Sequence, residues 1–321
     1  MSDLALRPAR SDHADVLRTA TFSSAHRDIF HDGYDLYAAV SRVLGSCDHA
    51  HVAPLGTGAF SVCLLCYSGG IQTVLKIGAL PEMLAHEAEA LSLLRATNVY
   101  PHLIPQDRVP TLADLTKHPA LHLSFLPGES LLSKEELGLP QLINLTDLAH
   151  EVWLAGALAR PGITTIPDQA FSYARRTTWA KRRLTKSEPR PYAHLLDAVP
   201  TVAAGLSSFV APQLCHGDFS PRNLLVTCSP SGAYYRSAYI IDPCPSFGDP
   251  IADLAHWVIN APHDPSGDYT EILINRLVLR HGVDEDRLRA WALLSAIIES
   301  NLAVTSSSAA TGWLRTHHPA L

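Results

Sequence analysis

Cysteine is scarce in this 321-residue chain: Cys47, Cys63, Cys66, Cys215, Cys228 and Cys244 are all there are. Six are too few for a disulfide scaffold at this length. Cys63 and Cys66 form a Cys-x-x-Cys pair, but it stands in an apolar, strand-like run and no second pair completes a zinc site. They read as buried apolar residues. No apolar run approaches the roughly 20 residues of a membrane-spanning helix, so no membrane partner is expected. Positive charge is also short. The 25 Lys and Arg against 31 Asp and Glu leave a net charge of −6, so there is no overall basic footprint for nucleic acid. Met1-Ser2-Asp3-Leu4 opens without a charged-then-apolar signal segment, and a cytoplasmic location is expected from that. The 17 histidines are scattered, with no His-x-x-x-His spacing on a helix. No repeat or low-complexity tract appears, and oligomeric state is not encoded in any recognisable pattern. What is plentiful is apolar residues, 47% of the chain, enough for the core of one large domain or two lobes.

One stretch organises the rest: Cys215-His216-Gly217-Asp218-Phe219-Ser220-Pro221-Arg222-Asn223, then Leu224-Leu225-Val226 and, later, Tyr239-Ile240-Ile241-Asp242. It reads as a polar loop, an apolar strand, a turn, and a second apolar strand ending in Asp. Asp218 and Asn223 lie five apart across a loop broken by Pro221. The second strand returns Asp242 to the same end of the hairpin. One carboxylate, one amide and a second carboxylate then converge. That set suits phosphoryl transfer, with a base for a hydroxyl and two oxygen ligands for magnesium.

His-x-Asp with Asn five after the Asp, then an apolar strand and an Asp, resembles the catalytic and metal motifs of kinases. The form His216-Gly217-Asp218, with Gly248-Asp249-Pro250 and Asp253-Leu254-Ala255 downstream, resembles the aminoglycoside phosphotransferase family. Those are kinase-fold enzymes that phosphorylate small molecules. The resemblance runs from Leu55 to Trp257 and implies an α+β, two-lobed protein-kinase-like fold. Residues 1–50 would be an N-terminal helical extension, with Leu36, Ala39, Val40 and Leu44 on one helical face. Residues 51–126 would form the first lobe, an antiparallel sheet with one long helix. Residues 127–321 would form a mainly helical second lobe with the catalytic loop, metal site and acceptor site. All five tryptophans, at 153, 179, 257, 291 and 313, fall there.

The first lobe carries its own signals. Gly56-x-Gly58 lies between two strand-like runs, so a strand rather than a helix follows the glycines. That argues against a Rossmann turn and for a kinase-type loop whose N–H groups approach phosphates. No Gly-x-x-x-x-Gly-Lys-Ser/Thr stretch exists, which excludes a P-loop. Ser61 stands where the kinase loop has its third glycine. Lys76 sits in Val74-Leu75-Lys76-Ile77, and a lysine in an apolar strand needs an anionic partner. Leu84, Glu87, Ala88, Leu91 and Leu94 mark an amphipathic helix after Pro81. The family places a glutamate on this helix to pair with the strand lysine, and Glu87 is expected, with Glu89 the alternative. Leu103–Val109 and Leu121–Leu126 read as the fourth and fifth strands. By resemblance, the main chain near Phe125 and Leu126 would meet the adenine.

Beyond them, helices are expected at 134–137, 139–158, 252–260, 271–280 and 284–303. Arg175, Arg176, Lys181, Arg182, Arg183, Lys186 and Arg190 form a basic cluster that family motifs do not explain. It reads either as a solvated helix face or as a binding site for an anionic group. The resemblance assigns Asp218 as the catalytic residue that orients the acceptor hydroxyl and takes its proton, and Asn223 and Asp242 as magnesium ligands. Lys76, oriented by Glu87, would hold the α- and β-phosphates of ATP or GTP. Gly56, Gly58 and Ser61 would contact the nucleotide. His216, Asp249 and Asp253 would brace the catalytic loop. The expected partners are a nucleoside triphosphate and a small-molecule acceptor with a hydroxyl, a sugar-bearing antibiotic of the aminoglycoside or nucleoside kind. A metabolic kinase of the choline, sugar or amino-alcohol kind and a non-catalytic nucleotide-binding module are the rivals. A protein kinase is disfavoured, because only six positions separate Asp242 from Gly248 and leave no room for an activation segment.

Overall fold

The computed structural model describes residues 51–57, 61–68, 70–78, 80–104, 120–131, 138–156, 165–184, 190–229, 235–261, 268–302 and 309–319. The helical extension expected over 1–50, most of the strand expected after Leu103, and the helix expected at 134–137 lie outside them. The chain forms two compact units. One contains Pro101–Leu126 and the residues up to Ser92, the other Leu93–Tyr100 and Pro127–Leu321. The class is α+β, with antiparallel sheets and many helices.

In the first unit, β1 (His51–Thr57), β2 (Ser61–Ser68), β3 (Ile71–Gly78) and β4 (Ala120–Ser124) form an antiparallel sheet in that order. Val, Leu and Ile dominate β2 and β3, residues that fit a pleated, half-buried surface. The register sets Lys76 between Cys63 on β2 and Leu121 on β4, so the lysine lies on a central strand of the sheet. The pairing of β1 with β2 slips between Pro54 and Gly56, which is a bulge at a proline that cannot donate to the ladder. Leu103 bridges to Leu123. Helix α1 (Pro81–Leu93) buries Leu84, Glu87, Ala90 and Leu91, a stripe at three- and four-residue spacing.

In the second unit, β5 (Glu129–Ser130) pairs with β7 (Leu224–Cys228), and β7 with β8 (Tyr235–Ile240). A separate antiparallel pair joins β6 (Gln213–Cys215) to β9 (Ser246–Gly248). The helices are α2 (Leu139–Leu145), α3 (Asp147–Gly156), α4 (Gln169–Leu184), α5 (Val199–Ser207), α6 (Ile251–Asn260), α7 (Asp268–His281), α8 (Glu285–Leu302) and α9 (Ala309–His317). Residues Ile251 to Ile259 of α6 are all buried. A helix enclosed on every side is the centre of a core, and α8 packs along it. Trp257, Trp291 and Trp313 are completely buried in this region, each removing roughly 200 Å² of aromatic surface from water.

The single helix expected over 139–158 is two helices. Thr146 breaks it: the fully buried Thr146 turns its Oγ1 to the Ile143 carbonyl at 2.5 Å and to His281 Nε2 at 2.8 Å. A hydroxyl that satisfies backbone and side-chain groups competes with the helix ladder. His281 then ties α7 to α2 and α3, because its Nδ1 lies 3.0 Å from His150 Nε2 with the rings stacked 5.0 Å apart.

That cluster predicts how stability varies with pH. Burial, and then the neighbouring His150, push the His281 imidazole down from the ordinary 6.5 to about 4, while Asp147 pulls the other way and Arg280 reinforces the drop. Between those two values the unfolded chain binds a proton that the folded chain refuses. Stability is therefore full above about pH 6.5 and declines as pH falls toward 4. Urea midpoints at pH 7 and pH 5 should fall less on acidification for His281→Gln than for the wild type. Equal falls would remove His281 from the account.

Candidate active site

The residues singled out in the sequence gather in two sets, one in each unit. In the first unit Lys76 Nζ donates to Glu87 Oε2 at 2.5 Å, with both residues 4% exposed. Glu87 rather than Glu89 meets the lysine because it shares the buried stripe of α1 with Leu84 and Leu91. Ser61 opens β2 and is buried, paired with Gly78. Gly56 lies at the bulge of β1, and Gly58 falls outside the described residues. Phe125 and Leu126 follow β4 and are half-buried.

In the second unit the chain leaves β6 at Cys215 and makes a tight loop. Gly217 has φ +77°, and a Cβ there would fall 1.9 Å from the Cys244 carbonyl oxygen. Only glycine permits both the left-handed backbone and that approach. The N–H groups of His216 and Gly217 donate to Asp253 Oδ2 and Oδ1 at 2.7 and 2.9 Å. His216 Nδ1 accepts from the Asp218 N–H at 3.1 Å, so its proton sits on Nε2, which gives it to the Ile241 carbonyl at 3.1 Å. Burial lowers the pKa of His216 and favours this neutral form, against the pull of Asp253 and Asp218. Cys244 N–H returns to the His216 carbonyl at 2.9 Å.

Pro221 starts the 3₁₀ turn Pro221–Asn223, which delivers Asn223 to β7. Asn223 Nδ2 donates to both the carbonyl and Oδ2 of Asp218, at 2.8 and 2.9 Å. The pairing of Leu224 with Ile240, and the bond from Ile241 N–H to the Asn223 carbonyl at 2.9 Å, set Asp242 at the same end of the hairpin as Asn223. Asp242 has φ +59°, the one non-glycine with positive φ among the described residues. Strain of this kind costs about 1–3 kcal/mol and collects at functional sites.

Four further residues complete the surroundings of Asp218. His256 on α6 is 2% exposed on its side chain and places Nε2 2.8 Å from Asp218 Oδ1. Arg176 on α4 is buried; it donates to Glu299 Oε1 at 2.7 Å and to the Gly217 carbonyl at 3.4 Å. Arg222 lies 3.8 Å from both Asp218 Oδ1 and Glu299 Oε2. Burial alone would raise the Asp218 pKa, but Arg222, the hydrogen bond from His256 and Arg176 outweigh it and hold the carboxylate ionised, well below its ordinary range. Arg222 was visible inside the motif. Arg176 was visible only as one of seven basic residues, and its partner Glu299 is 123 positions away, so no local spacing could select it. The rest of that cluster divides. Arg175 Nη2 reaches Cys244 Sγ at 3.4 Å and its guanidinium lies over Trp179, Lys181 pairs with Asp197 at the surface, and Arg182 is exposed.

Asp249 does not do what was expected of it. Its side chain caps the start of α6 through the Ile251 N–H at 3.1 Å, accepts from Trp291 Nε1 at 2.8 Å, and pairs with Arg287 on α8 at 3.0 Å. It fastens α8 to the β9–α6 turn, and the 216–217 backbone is held by Asp253 instead. No group of three or more His, Cys, Asp and Glu that would hold a metal stands among the described residues. Magnesium needs less, since one or two protein oxygens suffice beside phosphate and water. Asn223 fits that demand. Its nitrogen is committed to Asp218, which leaves Oδ1 as an acceptor, and Asp242 supplies a carboxylate at the same hairpin end.

Residues 53–291 match the APH phosphotransferase enzyme family. The chain belongs to that family and is a phosphotransferase that acts on a hydroxyl of a small molecule. No curated protein matches it by sequence. Several solved structures share the fold. The GDP and kanamycin complex of APH(2")-IIia is 17% identical, with TM-score 0.54 over 81% of this chain and 87% of that one. A thermostable mutant of aminoglycoside phosphotransferase APH(4)-Ia with ADP and hygromycin B is 16% identical, with TM-score 0.53 over 87% and 96%. The streptomycin and ATP complex of APH(2")-IIa is 14% identical, with TM-score 0.51 over 83% and 90%. The kinase-like two-part architecture is therefore that of this protein. No helix among the described residues is long and apolar enough to cross a membrane.

The buried Lys76–Glu87 pair gives a direct test of the first set. Removing one partner strands the other charge away from water, at a cost of about 3–5 kcal/mol, whereas replacing both with apolar groups is close to neutral. Lys76→Met should lower unfolding stability by that order, and Lys76→Met with Glu87→Leu should recover most of it. A stable Lys76→Met protein in denaturant unfolding would mean that the pair is not buried.

Proposed function

We propose that the enzyme transfers the γ-phosphate of ATP or GTP to a hydroxyl of a sugar-bearing antibiotic, of the aminoglycoside or nucleoside type, and thereby confers resistance. The observation that carries the phosphotransfer reading is the ionised Asp218 carboxylate, fixed through Oδ1 by His256 and through Oδ2 by Asn223. A carboxylate offers about four acceptor positions, so lone pairs remain for an acceptor hydroxyl. Asp218 orients that hydroxyl, whose oxygen attacks the γ-phosphorus while the bond to the bridging β,γ-oxygen breaks, and it takes the released proton. Asn223 Oδ1 and the Asp242 carboxylate are the oxygens for magnesium. Magnesium, when bound, offsets the negative charge of the phosphates. Lys76, held by Glu87, binds the α- and β-phosphates, with Gly56, Gly58 and Ser61 near the triphosphate and the main chain at Phe125 and Leu126 near the base. Catalysis then rests on positioning and charge, without a covalent intermediate. The matched solved structures that hold nucleotides and aminoglycosides support the reading by fold alone.

The charge beside Asp218 bears on the acceptor. Each ammonium of a polycation needs a carboxylate once water is removed. Glu299 lies between Arg176 and Arg222, and its low pKa reflects the charges of Arg176 and Arg222 against the effect of burial. That carboxylate is already neutralised. This favours a weakly charged, nucleoside-type acceptor over a polycationic aminoglycoside. A small-metabolite kinase of the choline or sugar type would use the same residues. A side-by-side turnover assay with kanamycin, hygromycin and a nucleoside antibiotic separates them, and selective turnover of the polycations would sink the nucleoside preference.

Asp218→Asn should keep the fold and nucleotide binding and lose about 10²–10⁴-fold in turnover, the usual contribution of a general base. Normal turnover by a folded Asp218→Asn protein ends the kinase assignment. Asp242→Ala should abolish the magnesium-dependent gain in affinity for a non-hydrolysable nucleotide, measured by calorimetry with and without the metal. If the gain survives intact, Asp242 is not a ligand.

A further inference from the structure

We infer that His256 is a positioning residue for Asp218, held with its ring proton on Nε2 by Arg176 and Glu299. The inference rests on the reading of Asp218 as the group that orients the acceptor. The chain of contacts begins at Glu299, on α8. Its Oε1 takes the Arg176 Nη2 at 2.7 Å, which fixes a guanidinium that also donates through Nη1 to the Gly217 carbonyl. The same Nη2 lies 3.3 Å from His256 Nδ1. A guanidinium has only hydrogens to offer and does not lose its proton in a protein. Nδ1 must therefore present its lone pair, and the ring proton is on Nε2. Nε2 faces Asp218 Oδ1 at 2.8 Å, so it donates to the ionised carboxylate. The approach of Asn260 Nδ2 to Nε2 is longer, 3.4 Å, and that amide already donates to the His256 carbonyl at 3.0 Å.

The consequence for Asp218 is geometric. Its Oδ2 is tied to Asn223 and its Oδ1 to His256, from two different elements, the catalytic loop and α6. Neither tie alone stops the carboxylate from turning about its terminal torsion, which is a soft one. Together they fix its plane and direct the remaining lone pairs. Arg176 adds a second restraint, because the carbonyl it holds belongs to Gly217, adjacent to Asp218. One chain of contacts from α8 through α4 and α6 therefore sets both the backbone and the side chain of the residue that meets the acceptor. His256 does not relay a proton in this arrangement, since Nε2 already carries one and Nδ1 faces a cation.

Three replacements at position 256 distinguish positioning from packing. Glutamine carries its amide nitrogen far enough to replace Nε2, asparagine is one methylene short, and leucine fills the space without a donor. With the full chain, magnesium and ATP, and water as the acceptor, His256→Leu and His256→Asn should lose roughly 10- to 100-fold in kcat, the size of effect that a 1 Å misplacement produces. The KM for ATP should be unchanged, and His256→Gln should recover most of kcat. Long-range ¹H–¹⁵N correlation, with the His256 ring identified by its loss in His256→Gln, should show a protonated Nε2 and a bare Nδ1, and Arg176→Met should release that preference. A protonated Nδ1 in the wild type overturns the inference, as does equal kcat for folded Leu, Asn and wild-type proteins. No ATP turnover by the wild type itself, with nucleotide and magnesium bound, would instead overturn the phosphotransfer reading, and this role with it.

Discussion

Asp253 holds two consecutive backbone N–H groups, one on each carboxylate oxygen, and the rest of the second unit's site follows from that. Two adjacent amides can point at one carboxylate only if the chain turns sharply, which is why Gly217 adopts φ +77° with the Cys244 carbonyl in the space a side chain would fill. The turn sends His216 inward, where its two ring nitrogens join the Asp218 amide to the Ile241 carbonyl. Ile241 precedes Asp242, so the loop and the far strand of the hairpin are fixed to each other at the position where both contribute a carboxylate. Burial pushes the pKa of Asp253 up, while His216 and the two N–H groups oppose it. The ionised form is worth keeping there because a buried N–H without a partner costs about 1–3 kcal/mol.

The buried charged residues of both units follow one rule. Lys76 with Glu87, Arg176 with Glu299, and Asp249 with Arg287 are ion pairs with at least one member deeply buried. Such pairs contribute little net stability, because desolvation offsets the attraction, but they penalise any arrangement that separates them. Their value here is positional. Each fixes a group on one element against another element, whether β3 to α1, α4 to α8, or the β9–α6 turn to α8. The core around α6 supplies the favourable free energy, through fully buried Trp257, Trp291 and Trp313, and the polar network decides where its neighbours stop.

Much of the architecture was legible because it is written in short-range pattern. The apolar runs of β2 and β3, the buried stripe of α1 and the loop–strand–strand arrangement from His216 to Asp242 are all local. The helix ends near Asn260 and Arg280 fell within one or two residues of expectation. Expectation failed where a distant residue intervened. The helix over 139–158 breaks at Thr146 because His281, 135 positions on, takes its hydroxyl, and Leu93–Tyr100 join the second unit, where the Val99 carbonyl accepts from the Ile240 N–H.

The site divides along the same line. By itself the sequence determined which residue types stand at which spacing: Asp218, Asn223 and Asp242 across one hairpin, Lys76 in an apolar strand, and a glutamate on the following helix. Those are contacts between neighbours in the chain or in a sheet, and spacing encodes them. Only the tertiary structure decided that Asp253 rather than Asp249 holds the loop, and that Arg176 leaves its basic cluster for the interior. It alone placed His256 and Glu299 behind Asp218. Those partners lie 36 to 123 positions apart, on helices whose packing is set by shape and buried area over the whole core. A hydrogen bond between such helices leaves no periodicity in either of them.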